Sequence, residues 1–231
     1  MTALIGQAKD RILVFDLDDT LYMERDFARS GLKAVGDWSR SALGVDGFFE
    51  TAWRLFRESP RADLFDVTLE RLGVEVAATT VRRMVDVYRD HRPTIDLLPD
   101  AVRFLAKRGA YAGFAIVTDG FQNTQQRKID ALGVAAFCDP IIKTDQWGRD
   151  YWKPHARAFL TIQERYDRPG GAFTYIGDNP QKDFVAPKSL GWHTVRVRRE
   201  GGLHARREAA SETAEAARTI TSLDQLAEAL G

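Results

Sequence analysis

The chain has 231 residues with Lys+Arg 33 against Asp+Glu 33, so its formal net charge is zero and no bulk field draws it to nucleic acid or an anionic membrane. That length suits one sizeable domain, or a core domain with a smaller companion. Hydrophobic residues at 44% and charged residues at 29% are ordinary for a soluble globular protein, and the single cysteine, Cys138, excludes an internal disulfide and reads as buried filler in a reducing compartment. The opening MTALIGQAKD has no basic region leading into an apolar stretch and cleavage site, and no apolar run approaches the roughly 20 residues of a bilayer span. These features predict a cytoplasmic protein without a membrane partner.

The first element is a strand at Ile12–Phe15, apolar at every position, as in a parallel sheet covered on both faces. It runs straight into Asp16, Asp18, Asp19 and Thr20. Like charges this close repel unless a cation sits among them or they spread into water as a turn. Asp19 reads as a turn former.

Residues 22–91 change character. Phe27, Ala34, Val35 and Trp38 recur at helical spacing, as do Phe48, Phe49, Ala52, Trp53 and Phe56; Leu64, Phe65, Thr68, Leu69 and Leu72; and Val81, Met84, Val85 and Tyr88. The pattern predicts a four-helix insertion placed after the first strand, with Trp38, Trp53 and Phe56 in its core. Pro99 suits the first turn of a helix running to about Lys107.

Further apolar runs follow at 114–117, 140–142, 173–176 and 194–197, with a weaker one at 217–220 and a last helix at 223–230. A helix at Gln122–Leu132 is ended by Gly133. Strands alternating with helices give an α/β fold with a parallel sheet. The charged, alanine-rich stretch 196–218, including RVRRE, reads as a solvated loop and helix rather than an anion site.

Almost every strand ends in polar chemistry. The second runs into Thr118, Asp119 and Gly120; the third is followed by Lys153; the fourth runs into Gly177, Asp178 and Asn179, with Asp183 close behind. Ligands of open parallel sheets bind beyond the carboxyl ends of the strands. If the strands are neighbours, these groups converge on one crevice. A carboxylate there can attack phosphorus. Carboxylates crowding a phosphate need a hard cation, and the oxygens of Asp16, Asp18 and Asp178 suit Mg²⁺. Lys153 would neutralise charge, while the Thr118 hydroxyl and nearby backbone N–H groups hold phosphate oxygens.

In this order, DLDDT (16–20), TDG (118–120), Lys153-Pro154 and GDNPQKD (177–183) resemble the four motifs of the haloacid dehalogenase (HAD) superfamily. The resemblance runs from about Ile12 to Val197. It implies a Rossmann-like core at 1–21 and 92–231 and a C1-type all-α cap at 22–91. It further implies Asp16 as nucleophile and Asp18 as general acid/base with its backbone carbonyl on the metal. Thr118, Asp119 and Gly120 would bind substrate phosphate together with Lys153, which also holds the nucleophile. Asp178 would ligate Mg²⁺, and Asp183 would do so directly or through water.

The function so implied is a Mg²⁺-dependent phosphatase acting through an aspartyl-phosphate on a small phosphorylated metabolite, a sugar phosphate or nucleoside monophosphate. The alternatives are a phosphomutase of the β-phosphoglucomutase type, a 2-haloacid dehalogenase and a non-catalytic regulator. Dehalogenases of this family use no metal and lack an acid two residues after the nucleophile, so Asp18 and Asp178 weigh against that reading. Phosphonate hydrolysis would need a lysine from the cap, where only Lys33 is present. Tyr22, Arg25 and Arg29 stand near the cap entry, as readers of substrate or as hinge and helix surface. A monomer or homodimer is expected, with no nucleic-acid partner.

Overall fold

The computed structural model describes residues 8–59 and 62–231. Residues 1–7, on which most of the expectation about a signal peptide rests, lie outside that set. Among the described residues no helix is long and apolar enough to cross a membrane.

Six parallel strands form one sheet in the order β3-β2-β1-β4-β5-β6. They are β1 (Ile12–Phe15), β2 (Gly113–Thr118), β3 (Ile141–Lys143), β4 (Phe173–Gly177), β5 (His193–Val197) and β6 (Arg218–Ile220). β1 lies between β2 and β4, with Phe15 level with Ile116 on one side and Ile176 on the other. The strands expected from apolar runs are all present, within a residue or two at each end. The sheet is a Rossmann-like core with a helical insertion between β1 and β2.

The apolar runs are continuous because both faces of the sheet are covered. On one face Ile12, Val14, Ala115, Val117, Phe173 and Tyr175 pack with Ala158, Phe159 and Ile162 of α7 (Arg157–Tyr166). On the other face Phe15 meets Phe104 of α5 (Pro99–Leu105) and Phe114 edge-on, at ring separations of 6.2 and 5.4 Å. Full burial of each such side chain contributes about 1.5–3 kcal/mol. The helix α6 (Gln122–Leu132) ends as expected, at Gly133 with φ 63°, a conformation that glycine adopts without strain. The predicted final helix is a short 3₁₀ turn, Leu223–Gln225, continued by one helical turn at Leu226–Ala229.

The described chain divides into two compact units, one formed by the residues up to Glu24 with Asp96–Gly231, the other by Arg25–Ile95. The second unit consists of α1 (Glu24–Leu43) from Arg25 onward, α2 (Phe48–Glu58), α3 (Leu64–Arg71) and α4 (Ala78–Asp90). Its core gathers Leu32, Val35, Phe48, Ala52, Leu55, Leu64, Leu69 and Met84, with Trp38, Trp53 and Phe56 packed half-buried around them. Trp53 and Phe56 stack at 5.6 Å. Lys33 lies on the helix surface, paired with Asp37 at 3.0 Å.

One expectation fails. Between β5 and β6 there is no α-helix among the described residues, and two of the three arginines of RVRRE are withdrawn from solvent. Arg196 and Arg199 are buried. Arg196 donates to the carbonyls of Asp178, His204 and Arg207, and Arg199 to that of Thr20 and to the Asp100 carboxylate at 2.9 Å. The guanidinium groups replace the missing secondary structure by satisfying loop carbonyls, which the composition of the stretch does not reveal.

Gly170 is a test of this packing, since a Cβ there would sit 2.0 Å from the backbone carbonyl oxygen of Leu190. Backbone yields less readily than a side chain. Gly170→Ala is expected to cost about 1–3 kcal/mol, lowering Tm by about 2–4 °C per kcal/mol. Thermal denaturation checks this, and an unchanged Tm would refute the close approach.

Candidate active site

Asp16 follows β1 directly, and its backbone N–H donates to the Ile176 carbonyl at 2.8 Å, so the sheet itself sets its position. Its carboxylate is nearly buried at 4% exposure. Lys153, fully enclosed at its side chain, places Nζ 2.6 Å from Asp16 Oδ1 and 2.8 Å from Asp183 Oδ1, and donates to the Tyr175 hydroxyl at 2.9 Å. Asp183 also accepts the Asn179 N–H at 2.8 Å on Oδ2. Gly177 makes room for it, because a Cβ there would lie 2.5 Å from Asp183 Oδ2.

Asp178 completes the group. Single oxygens of Asp16, Asp178 and Asp183 lie within 4.8 Å of one another, and all three residues are buried. Among the described residues the Asp178 carboxylate has no hydrogen bond or direct ion pair. Burial raises its pKa well above the ordinary value, and the charges of Asp183 and Asp16 raise it further. Burial likewise lifts Asp16 to about 7, against the pull of Lys153 and with a push from Asp183. Three carboxylates thus share one ammonium. The deficit of two positive charges and the all-oxygen donor set fit a hard divalent cation such as Mg²⁺.

Asp18 is matched differently. Burial alone would raise its pKa, but the Lys128 ammonium and hydrogen bonds from Lys128, Tyr22 and Gln125 hold it below the usual carboxylate range. Lys128 Nζ lies 2.6 Å from Asp18 Oδ1, which also accepts the Tyr22 hydroxyl, and Gln125 Nε2 lies 3.0 Å from Oδ2. Gln125 also donates to the Thr118 hydroxyl oxygen at 2.5 Å.

Asp119 points inward. Its Oδ1 accepts the Thr144 hydroxyl at 2.8 Å and the Lys153 N–H at 3.0 Å, and Oδ2 pairs with Lys182 at 2.9 Å. That carboxylate braces the Lys153 loop, leaving the backbone as what Asp119 can offer a ligand. Gly120 takes φ 128° in the turn beyond β2, closed to most side chains. Asp19, with φ 51°, accepts the N–H groups of Glu24 and Leu203, tying two loops together.

Thus Asp16 and Asp183 meet at Lys153 with Asp178 within 4.8 Å of both, while Asp18 and Thr118 are joined through Gln125. Tyr22 is a buried partner of Asp18; Arg25 and Arg29 lie on exposed positions of α1. Gln125, Lys128, Tyr175 and Lys182 carry no role in the sequence reading. The spacing of Gln125 and Lys128 was a signal for two of them, since residues three apart share a helix face. Cys138 is buried and its thiol is pushed up to about 12, so it stays protonated.

The class this fold and site define is a hydrolase of the haloacid dehalogenase type. The haloacid dehalogenase-like hydrolase family matches residues 11–191, and the chain belongs to it. Curated relatives include a glyceraldehyde 3-phosphate phosphatase of Methanocaldococcus jannaschii, 27% identical over 80% of this chain and 83% of the relative. A phosphoserine phosphatase of Thermus thermophilus is 27% identical over 82% of this chain and 89% of its own. Among solved structures, the magnesium-bound HAD-hydrolase YfnB of Bacillus subtilis aligns with TM-score 0.69 at 18% identity, over 96% of this chain and 99% of that one. A 2-haloacid dehalogenase of Pseudomonas syringae aligns with TM-score 0.64 at 21% identity, over 95% and 97%. At such identities the structures speak for the fold, which phosphatases and dehalogenases share.

The electrostatics of the cluster can be tested without substrate. A raised carboxyl pKa means that the folded state holds its proton more tightly than the unfolded chain, so metal-free stability falls as pH rises from about 4 through about 7. Asp178→Asn removes one repelling charge. In EDTA it is expected to raise Tm by a few degrees at about pH 8, and by less at about pH 5. Mg²⁺ should raise the Tm of the wild type more than that of the variant. A lowered Tm for Asp178→Asn at the higher pH in EDTA would contradict the account.

Proposed function

We propose that the protein is a Mg²⁺-dependent phosphatase that hydrolyses a small phosphorylated metabolite through an aspartyl-phosphate on Asp16, with the helical unit serving as its cap. The observation that carries this reading is Asp16 itself. It is a buried carboxylate with Oδ1 held by Lys153 at 2.6 Å, Oδ2 left for a reaction partner, and Asp178 and Asp183 beside it. The names of the two curated relatives support phosphomonoester chemistry and bring three-carbon phosphates into consideration beside sugar phosphates and nucleoside monophosphates.

In the proposed reaction an oxygen of Asp16 bonds to phosphorus as the bond from phosphorus to the leaving oxygen breaks. Asp18, held as a carboxylate by Lys128, Tyr22 and Gln125, takes the proton of the phosphate monoanion and passes it to that leaving oxygen. Water then bonds to the same phosphorus, its proton passes to Asp18, and the Asp16–phosphorus bond breaks to release phosphate. Lys153 fixes Asp16 and offsets charge on the phosphate, and Thr118 with the backbone of Asp119 and Gly120 binds phosphate oxygens. Asp16, Asp178, Asp183 and the Asp18 carbonyl would hold Mg²⁺, whose part is to neutralise phosphoryl charge.

Asp18 and the surplus of acid around Asp178 set this reading above dehalogenation, which the shared fold alone would allow. A buried Cys138 accords with a reducing cytoplasm.

The test is phosphate release from a panel of three-carbon, sugar and nucleoside phosphates, with Mg²⁺ or EDTA, beside Asp16→Asn. Both EDTA and the substitution are expected to reduce turnover by about 10⁴-fold or more. Phosphate release by Asp16→Asn at the wild-type rate would refute the nucleophile, and full activity in EDTA would refute the metal.

A further inference from the structure

Lys128 belongs to none of the four motifs, yet it is 3% exposed and its Nζ is 2.6 Å from Asp18 Oδ1. A lysine stripped of water this completely is costly unless an acceptor matches it. The contact does not stand alone. Gln125, three residues earlier on the same face of α6 and 1% exposed, donates to Asp18 Oδ2 at 3.0 Å. Tyr22, wholly buried, donates to Oδ1 as well. Both oxygens of Asp18 are therefore held, by three donors from two segments of the chain. A lysine serving stability alone would need a single acidic partner anywhere on the core. Here three buried donors converge on the one carboxylate to which proton exchange is assigned, and Gln125 joins it to Thr118 at 2.5 Å.

We propose that Lys128 is a positioning residue: with Gln125 and Tyr22 it fixes the Asp18 carboxylate in the orientation from which it takes a proton from water. The inference rests on the phosphatase reading above. It places the effect of Lys128 in one half of the reaction. When Asp16 bonds to phosphorus and expels 4-nitrophenolate, the departing oxygen needs little protonation, so Asp18 contributes little. When water bonds to phosphorus and the Asp16–phosphorus bond breaks, the proton of water must pass to Asp18, and a misdirected carboxylate slows that step. Lys128 acts through its contact with Asp18.

The experiment is stopped-flow and steady-state kinetics with 4-nitrophenyl phosphate and Mg²⁺, on the wild type, Lys128→Met, Tyr22→Phe and Asp16→Asn, each checked by thermal denaturation. For Lys128→Met, kcat is expected to fall by about 10²-fold. kcat/KM, which reports only the steps through phosphorylation of Asp16, should stay within about threefold. A burst of about one 4-nitrophenolate per active site should precede the slow phase. Tyr22→Phe, which removes one hydroxyl and keeps the ring, should show the same split with a fall of about tenfold or less, and it carries the test if Lys128→Met does not fold. An equal fall in kcat and kcat/KM without a burst, or an unchanged kcat, in a folded variant would overturn the proposal while Asp16→Asn stays inactive. Turnover by Asp16→Asn would instead overturn the phosphatase reading and this inference with it.

Discussion

Lys153 stands between Asp16 and Asp183 with Asp178 close by, and the rest of the site is arranged around that shortage of positive charge. Gathering three buried carboxylates within 4.8 Å is unfavourable in itself, since each loses hydration and repels the others. One ammonium relieves the repulsion in part. The parallel sheet supplies the means to hold it, because β1 and β4 are hydrogen-bonded neighbours and deliver Asp16 and Asp178 to the same edge. The cost of placing them there is borne by the apolar packing behind, where the strands are covered on both faces.

The carboxylates beyond the strand ends divide by how well they are matched. Asp18 and Asp119 each have an ammonium partner and further donors, and both sit below their ordinary pKa. Asp16 and Asp178 are undermatched and sit above it. The matched pair serves as anchorage: Asp119 holds the backbone of Lys153 and the Lys182 side chain, and Asp18 holds α6 through Lys128 and Gln125. The undermatched pair has charge to spare for a cation. Local balance, rather than the number of acids, separates the carboxylates whose charge the chain itself neutralises from those that leave charge for a cation.

The same division governs what the sequence discloses. Strands such as Ile12–Phe15 are legible because burial on two faces writes an unbroken apolar run, and α6 because Gly133 marks its end. The acids at the strand ends are legible because a charge directly after a buried strand is out of place. Lys128 is not, since it lies on a polar helix sequence and meets Asp18 across 110 positions of chain. Arg196 and Arg199 read as surface charges for the same reason: their acceptors are carbonyls of distant loops, and a carbonyl leaves no trace in residue type. Tyr22 reads as a cap-entry residue from its position after the first motif, whereas its hydroxyl turns back to Asp18 four residues earlier. Local pattern reports burial and periodicity; it does not report which distant partner satisfies a buried polar group.

Phosphatases and a 2-haloacid dehalogenase share the architecture of this chain, so the backbone does not choose between their chemistries. A nucleophilic carboxylate at the end of β1 serves either reaction. The choice lies in what surrounds it. Displacement of a halide produces a leaving group that needs no proton, and it places no multiply charged phosphoryl group beside Asp16. A phosphate ester imposes both demands, a proton for the leaving oxygen and compensation for charge on the phosphoryl group. In the proposed reaction Asp18 answers the first by passing a proton, and the cluster of Asp16, Asp178 and Asp183, as a place for a divalent cation, answers the second. These features are costly to bury and have no use in halide displacement, and that asymmetry is the physical argument for assigning the site to phosphoryl transfer.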